Sequence, residues 1–184
     1  NMITKDGSET IFNEEYGEHY KSTTGALEES FEKFINPCKI AELAKSGQVK
    51  ILDVGFGLGY NAFSAIDHAL KTNPNVEITI ISLEKNLIIE KLKGLKPNLK
   101  NYSIINKLEF DPMTISYLYE DKNIYLKIKI GKAEELIKKI REKFDACFLD
   151  PFSPKKNPEL WSLEFMQDIA KIMKKDSILA TYSC

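Results

Sequence analysis

Asp150 closes the apolar run Phe144–Leu149, and prolines at 151, 154 and 158 stiffen the stretch that follows it. A carboxylate in such a place accepts hydrogen bonds from an amine. It can also take the proton that an amine of pKa about 10 must lose before its lone pair attacks. Upstream, Gly55-Phe56-Gly57-Leu58-Gly59-Tyr60-Asn61 follows a β-rich run that carries Asp53. The glycines permit a tight turn and a close approach of backbone to a ligand, and the helix expected after them offers free N–H groups. The dinucleotide fingerprint GxGxxG is not met, because Tyr60 stands where its third glycine would be. Glu84 ends a second apolar run, at the edge where ligands of doubly wound sheets lie, and a carboxylate there can accept two hydrogen bonds from ribose hydroxyls.

An acid two residues before a GxGxG loop resembles motif I of S-adenosylmethionine-dependent methyltransferases, which implies that the loop holds the methionine part of that cofactor. Asp53, Gly55, Phe56, Gly57, Gly59, Asn61 and Glu84 are then cofactor-site candidates, with Lys85 beside them. Ile130-Gly131-Lys132-Ala133 stands where such enzymes commonly place an adenine-contacting Gly-Asp-Ala. Lysine replaces the aspartate, which leaves backbone contacts from Lys132 and Ala133. Each residue also has a plain structural alternative. The loop can be a ligand-free turn, Glu84 a helix cap, Lys85 a solvated side chain and Asp150 a turn cap. Trp161 reads as core, and Phe152 as either core or stacking partner.

Positioning these residues takes alternating strands and helices. Apolar spacing from Ala26 to about Ala44 predicts two short helices broken at Asn36-Pro37. Strands are expected at Val49–Val54, Val76–Leu83, Ile124–Ile130, Phe144–Leu149 and Ser177–Tyr182, and helices at about Tyr60–Lys71, Gly131–Lys143 and Pro158–Met173. Strands that are apolar throughout and alternate with helices imply an α/β, Rossmann-like, mostly parallel doubly wound sheet covered on both faces. The division expected is an N-terminal cap over residues 1–47 and a core over 48–184, with an excursion at about 94–123. Ending on a fifth strand implies that further C-terminal strands of such a sheet are missing.

The 184 residues, 43% apolar and 29% charged, suit one globular domain and argue against disorder. A formal charge of −1 advertises neither nucleic acid nor membrane, and of 26 basic residues only Arg141 is arginine, so an arginine-rich phosphate clamp is excluded for this stretch. Cys38, Cys147 and Cys184 form neither a CxxC pair nor a disulfide framework, which fits a reducing cytosol and predicts no metal site. No apolar run approaches the ~20 residues of a membrane span. The expected setting is cytoplasmic.

The residues together resemble the methyltransferases that finish 5-methylaminomethyl-2-thiouridine at the tRNA wobble position, the MnmC methyltransferase domain and its free-standing, oxidase-lacking relatives. Phe148-Leu149-Asp150-Pro151-Phe152-Ser153-Pro154-Lys155-Lys156-Asn157-Pro158-Glu159-Leu160-Trp161 follows that family's FLDGFAPAKNPEMW segment. Gly55–Asn61 follows its GFGTGLN loop, and Ala180-Thr181-Tyr182-Ser183 its ATFT strand. Tyr16-Gly17-Glu18-His19-Tyr20-Lys21-Ser22 and Gly25-Ala26-Leu27-Glu28-Glu29-Ser30 are similar to the N-terminal part of free-standing members.

The resemblance implies methyl transfer from S-adenosylmethionine to the primary amine of 5-aminomethyluridine, with the tRNA anticodon loop as partner. Asp150 would be the amine-binding acid. Tyr20 and Glu28 would close over the cofactor, and Pro151, Phe152, Lys155 and Asn157 would meet the substrate. Pro151 stands where a glycine is usual, Lys132 where an aspartate is, and the basic segments later in the family are lacking. A small-molecule amine methyltransferase, an aminopropyltransferase-like enzyme or a silent cofactor-binding domain are the alternatives.

Overall fold

The computed structural model describes residues 25–151 and 156–181 in full, and before them the backbone of two short antiparallel pairings, Met2–Ile3 with Glu9–Thr10 and Phe12–Asn13 with Glu18–His19. Helix α1 (Ala26–Ser30) continues as a π-helical turn through Ile35. The chain then breaks at Asn36–Lys39, as the Asn-Pro pair predicts, and resumes as α2 (Ile40–Ser46). Strand β1 (Gln48–Val54) leads through the glycine loop into α3 (Tyr60–Thr72), followed by β2 (Glu77–Glu84) and a short α4 (Ile89–Leu92).

Residues 94–123 are more than an excursion. After a 3-10 turn (Tyr102–Lys107) they form β3 (Glu109–Asp111) and β4 (Ser116–Glu120), an antiparallel hairpin that pairs with β5 (Ile124–Ile130) and extends the sheet. Asp111 fixes the turn, taking the Met113 N–H at 2.9 Å and the Thr114 hydroxyl at 2.9 Å.

The helix expected over Gly131–Lys143 is shorter. α5 covers Ala133–Leu136, tightens to a 3-10 turn at Ile137–Lys139, and Ile140 is extended. Ala133, Ile137 and Ile140 are buried, and Leu136 is half-buried. Strand β6 spans Phe144–Leu149, and a 3-10 turn (Pro158–Trp161) precedes α6 (Leu163–Lys171). The Ser162 hydroxyl caps α6 by accepting the Phe165 N–H at 3.2 Å. Strand β7 (Met173–Thr181) begins four residues earlier than its β-branched stretch suggested.

The seven strands lie in the order β7-β6-β1-β2-β5-β4-β3, parallel from β7 to β5 and antiparallel beyond. This is the expected α/β, mostly parallel, doubly wound arrangement. Val49 and Ile51, Ile78 and Ile80, Leu126 and Ile128, and Ala146 and Phe148 pack on one face against Phe34, Ile35, Ile40, Phe63 and Ile66. Leu52, Val54, Ile81, Leu83, Cys147 and Leu149 pack on the other against Ile137, Phe165 and Ile169. Burying a side chain such as Phe165 or Ile169 stabilises the fold by roughly 2 kcal/mol, which holds the short α6 in place despite its length. Among the described residues no helix is long and apolar enough to cross a membrane.

Candidate active site

The period-2 alternation that builds the two cores also sorts the acids. Asp53 follows Ile51 on β1, Glu84 follows Ile80 and Ser82 on β2, and Asp150 follows Phe148 past the end of β6, so all three belong to the face covered by α1–α3. In parallel register, Asp53 lies beside Ser82 on one side and Phe148 on the other. The acids therefore gather at the carboxyl edge of neighbouring strands, beside the turn from β1 to α3. Asp53 is the deepest, 1% exposed, and its Oδ2 accepts the Ser82 hydroxyl at 2.7 Å.

The glycine loop is tied to both neighbours. The Gly55 N–H donates to Leu83 O at 2.9 Å, and Gly55, at φ +88°, packs against the backbone of Asp150 and Pro151. Gly59, at φ +86°, has the rings of Phe56 and Phe63 directly beneath it, so the Phe56 side chain is part of the core.

Glu84 receives the loop. Its Oε1 accepts the Gly57 N–H at 2.8 Å and its Oε2 the Asn86 N–H at 3.1 Å. Burial pushes the Glu84 carboxyl above its ordinary value, against the opposing pull of the Gly57, Asn86 and Lys85 N–H groups. Two oxygens with about four acceptor positions still leave capacity for a ligand diol.

Asp150 is held at its backbone and at its side chain. Its N–H donates to Val54 O at 3.0 Å, and its Oδ2 accepts Asn61 Nδ2 at 2.8 Å. Pro151 is buried behind it. Asn157 is 5% exposed and donates to Glu159 Oε1 at 3.4 Å. Ala133 is buried at the start of α5, whereas Lys132, Lys85 and Lys156 are exposed. Glu28 is exposed on α1 and lines a groove of about 480 Å³ over the outer face of α3 with Phe31, Ser64 and His68. Tyr20, Phe152 and Lys155 lie outside the described residues. Among the described residues no group of three or more His, Cys, Asp or Glu side chains gathers as a metal site.

Three contributors carried no motif. Tyr102, buried in the 94–123 segment, donates its hydroxyl to Leu58 O at 2.7 Å and packs edge-on against Phe63 and Tyr60. Asp67 on α3 fixes the approach to Tyr102 by accepting the Lys100 and Asn101 N–H groups at 2.6 and 3.0 Å. Ser82, the partner of Asp53, is the third. An aromatic in an apparent loop and a serine inside an apolar strand signal nothing by type; only the register and the long-range packing give them roles.

Residues 99–184 match the family model described as S-adenosyl-L-methionine-dependent methyltransferase. The crystal structure of MNMC2 from Aquifex aeolicus superposes with a TM-score of 0.84 at 38% identity, covering 99% of this chain and 58% of that one. The chain is a relative of MnmC. The similarity extends to the tRNA 5-methylaminomethyl-2-thiouridine biosynthesis bifunctional protein MnmC of Campylobacter hominis, 31% identical over 94% of this chain and 26% of that protein. An uncharacterized protein of Methanocaldococcus jannaschii is 31% identical over 98% of this chain and 49% of its own length. The chain thus spans about half or less of the length of these curated relatives. The MnmC resemblance read from the glycine loop and the Asp150 segment is borne out over nearly the whole chain.

Proposed function

We propose that this chain transfers the methyl group of S-adenosylmethionine to the primary amine of 5-aminomethyl-2-thiouridine at the tRNA wobble position. The observation that carries the reading is the placement of Glu84 and Asp150 on one face of the sheet edge, on either side of a glycine loop that is hydrogen-bonded to the first and packed against the second.

The residues fit the cofactor by the chemistry of their donor set. Glu84 would take the ribose hydroxyls, Gly55, Gly57 and Gly59 would line the methionine part with backbone alone, and Lys132 and Ala133 would border the adenine. Bound there, S-adenosylmethionine supplies a methyl group on a positively charged sulfur. Asp150 accepts a hydrogen bond from the incoming ammonium, aims it, and takes its proton so that the nitrogen lone pair is available. Little else is required, because in-line alignment of a preorganised nucleophile provides much of the rate. The wobble base is already single-stranded in the anticodon loop, so turning it toward Asp150 costs little unpairing. We place Pro151, Phe152, Lys155 and Asn157 on the substrate side, Tyr20 over the cofactor, and the reaction in the cytoplasm.

The test is transfer of radiolabelled methyl from S-adenosylmethionine to tRNA purified from cells that lack the final methylation. Labelled 5-methylaminomethyl-2-thiouridine is expected after digestion, and Asp150→Ala is expected to lower the rate by about 10²-fold or more. Labelling of free amines with tRNA inert would overturn the substrate assignment, and an Asp150→Ala protein active within a few-fold would overturn the mechanism.

A further inference from the structure

Asn61 is the second residue of α3, immediately past the glycine loop, and is 3% exposed. Its amide is satisfied at one end only. Nδ2 donates to Asp150 Oδ2 at 2.8 Å, while Oδ1 is buried with no hydrogen-bond partner among the described residues. A carboxylate only accepts, so the amide must turn its NH2 group toward Asp150; the opposite orientation would set oxygen against oxygen. Its carbonyl is thereby carried into a dry place, and an unpaired buried acceptor costs folding free energy that a leucine of similar size would avoid. The Asp150 backbone is held by the Val54 carbonyl and packs against Gly55. The Asn61 amide restrains its side chain.

We infer that Asn61 is a positioning residue: its amide holds the Asp150 carboxylate in the rotamer that receives the acceptor amine, and the fold accepts an unsatisfied carbonyl to keep it. This rests on the methyl-transfer reading of Asp150. It also assigns a consequence to the order of the chain, because the helix that begins at the cofactor loop sets the angle of the acid on the acceptor side. Donor and acceptor seats are aligned by one rigid element.

The experiment uses the full chain with Asn61→Leu, and Asn61→Ala should the leucine not be accommodated. It measures kcat and KM with tRNA, the Kd of S-adenosylhomocysteine and the melting temperature. Asn61→Leu is expected to lower kcat roughly tenfold or more while leaving the Kd within about twofold and the melting temperature equal or higher. In the Asp150→Ala background the same substitution is expected to cause no further loss of rate. A Kd that rises in step with the loss of kcat makes Asn61 a cofactor ligand and overturns the inference. So do a lowered melting temperature with unchanged kcat, or losses that add. If the unsubstituted chain methylates nothing, the functional reading falls by itself, and the melting cycle decides this inference: equal shifts from Asn61→Leu with and without Asp150 overturn it, unequal shifts support it.

Discussion

A Cβ on Gly55 would lie 2.7 Å from the carbonyl oxygen of Asp150 and 3.2 Å from the Cα of Pro151. The first glycine of the loop is therefore fixed by the strand end that carries the acid as much as by any ligand. With φ at +88°, the position is also strained for any L side chain. Gly55→Ala is expected to destabilise the protein by about 2–4 kcal/mol and to lower methyl transfer more than the Kd of the cofactor, because the displaced backbone is that of Asp150. Denaturant unfolding and single-turnover kinetics measure the two effects.

Tyr102→Phe keeps the ring against Phe63 and removes only the hydroxyl that serves the Leu58 carbonyl. Losing that bond while leaving a carbonyl buried is expected to cost about 1–3 kcal/mol of stability. Faster amide exchange across Gly55–Tyr60 and weaker binding of S-adenosylhomocysteine should accompany it. Unchanged exchange in the loop would show that the hydroxyl does not brace it.

Glu84 predicts a direction for pH. Its folded carboxyl lies above the ordinary value because it is buried, so in the ligand-free protein its contribution to stability is present at acidic pH and is lost as the pH rises through its folded pKa. Ribose hydroxyls donate to the ionised form and favour it. Cofactor binding should thus tighten as the pH rises toward the folded pKa of Glu84, with a proton released on binding below it. Glu84→Gln is expected to weaken binding and flatten this dependence. Calorimetry in buffers of different ionisation enthalpy reads both.

Cys38 and Cys147 are buried, and burial pushes the Cys38 thiol up to about 12 and Cys147 well above its ordinary value. Thiolate being the reactive form, neither should react with a disulfide reagent at neutral pH until the protein unfolds. In a Cys184→Ser background, no thiol is expected to titrate before denaturant is added and two after.

The sequence made four of the five parallel strands legible because each is a largely apolar run that ends in or beside a chemically distinctive residue: Val54 before the glycines, Glu84, Ile130 before Gly131, and Leu149 before Asp150. The hairpin β3–β4 escaped notice for the opposite reason. Glu109–Asp111 and Ser116–Glu120 are short, carry charges and flank Pro112, and their strand character comes from pairing with β5. Ile140 shows a related limit. It lies within the helix expected over Gly131–Lys143, yet its core contact is made from extended backbone after a 3-10 turn. Side-chain periodicity reports which residues are buried more faithfully than it reports how the backbone gets them there. At the site, Asp150 and Glu84 were legible by type and place. The link from Asn61 to Asp150 was not, since it joins residues 89 apart in the chain.

Strand β6 inserts between β7 and β1, and it enters the chain long after the glycine loop has been made. During synthesis β1, the loop and α3 emerge with one edge of β1 open and nothing to press against Gly55. Only when residues 144–150 arrive does the loop gain its wall and Asn61 its carboxylate. The wall behind the glycine loop and the carboxylate that meets Asn61 are thus supplied together, by a strand end that lies 89 residues further along the chain than Asn61.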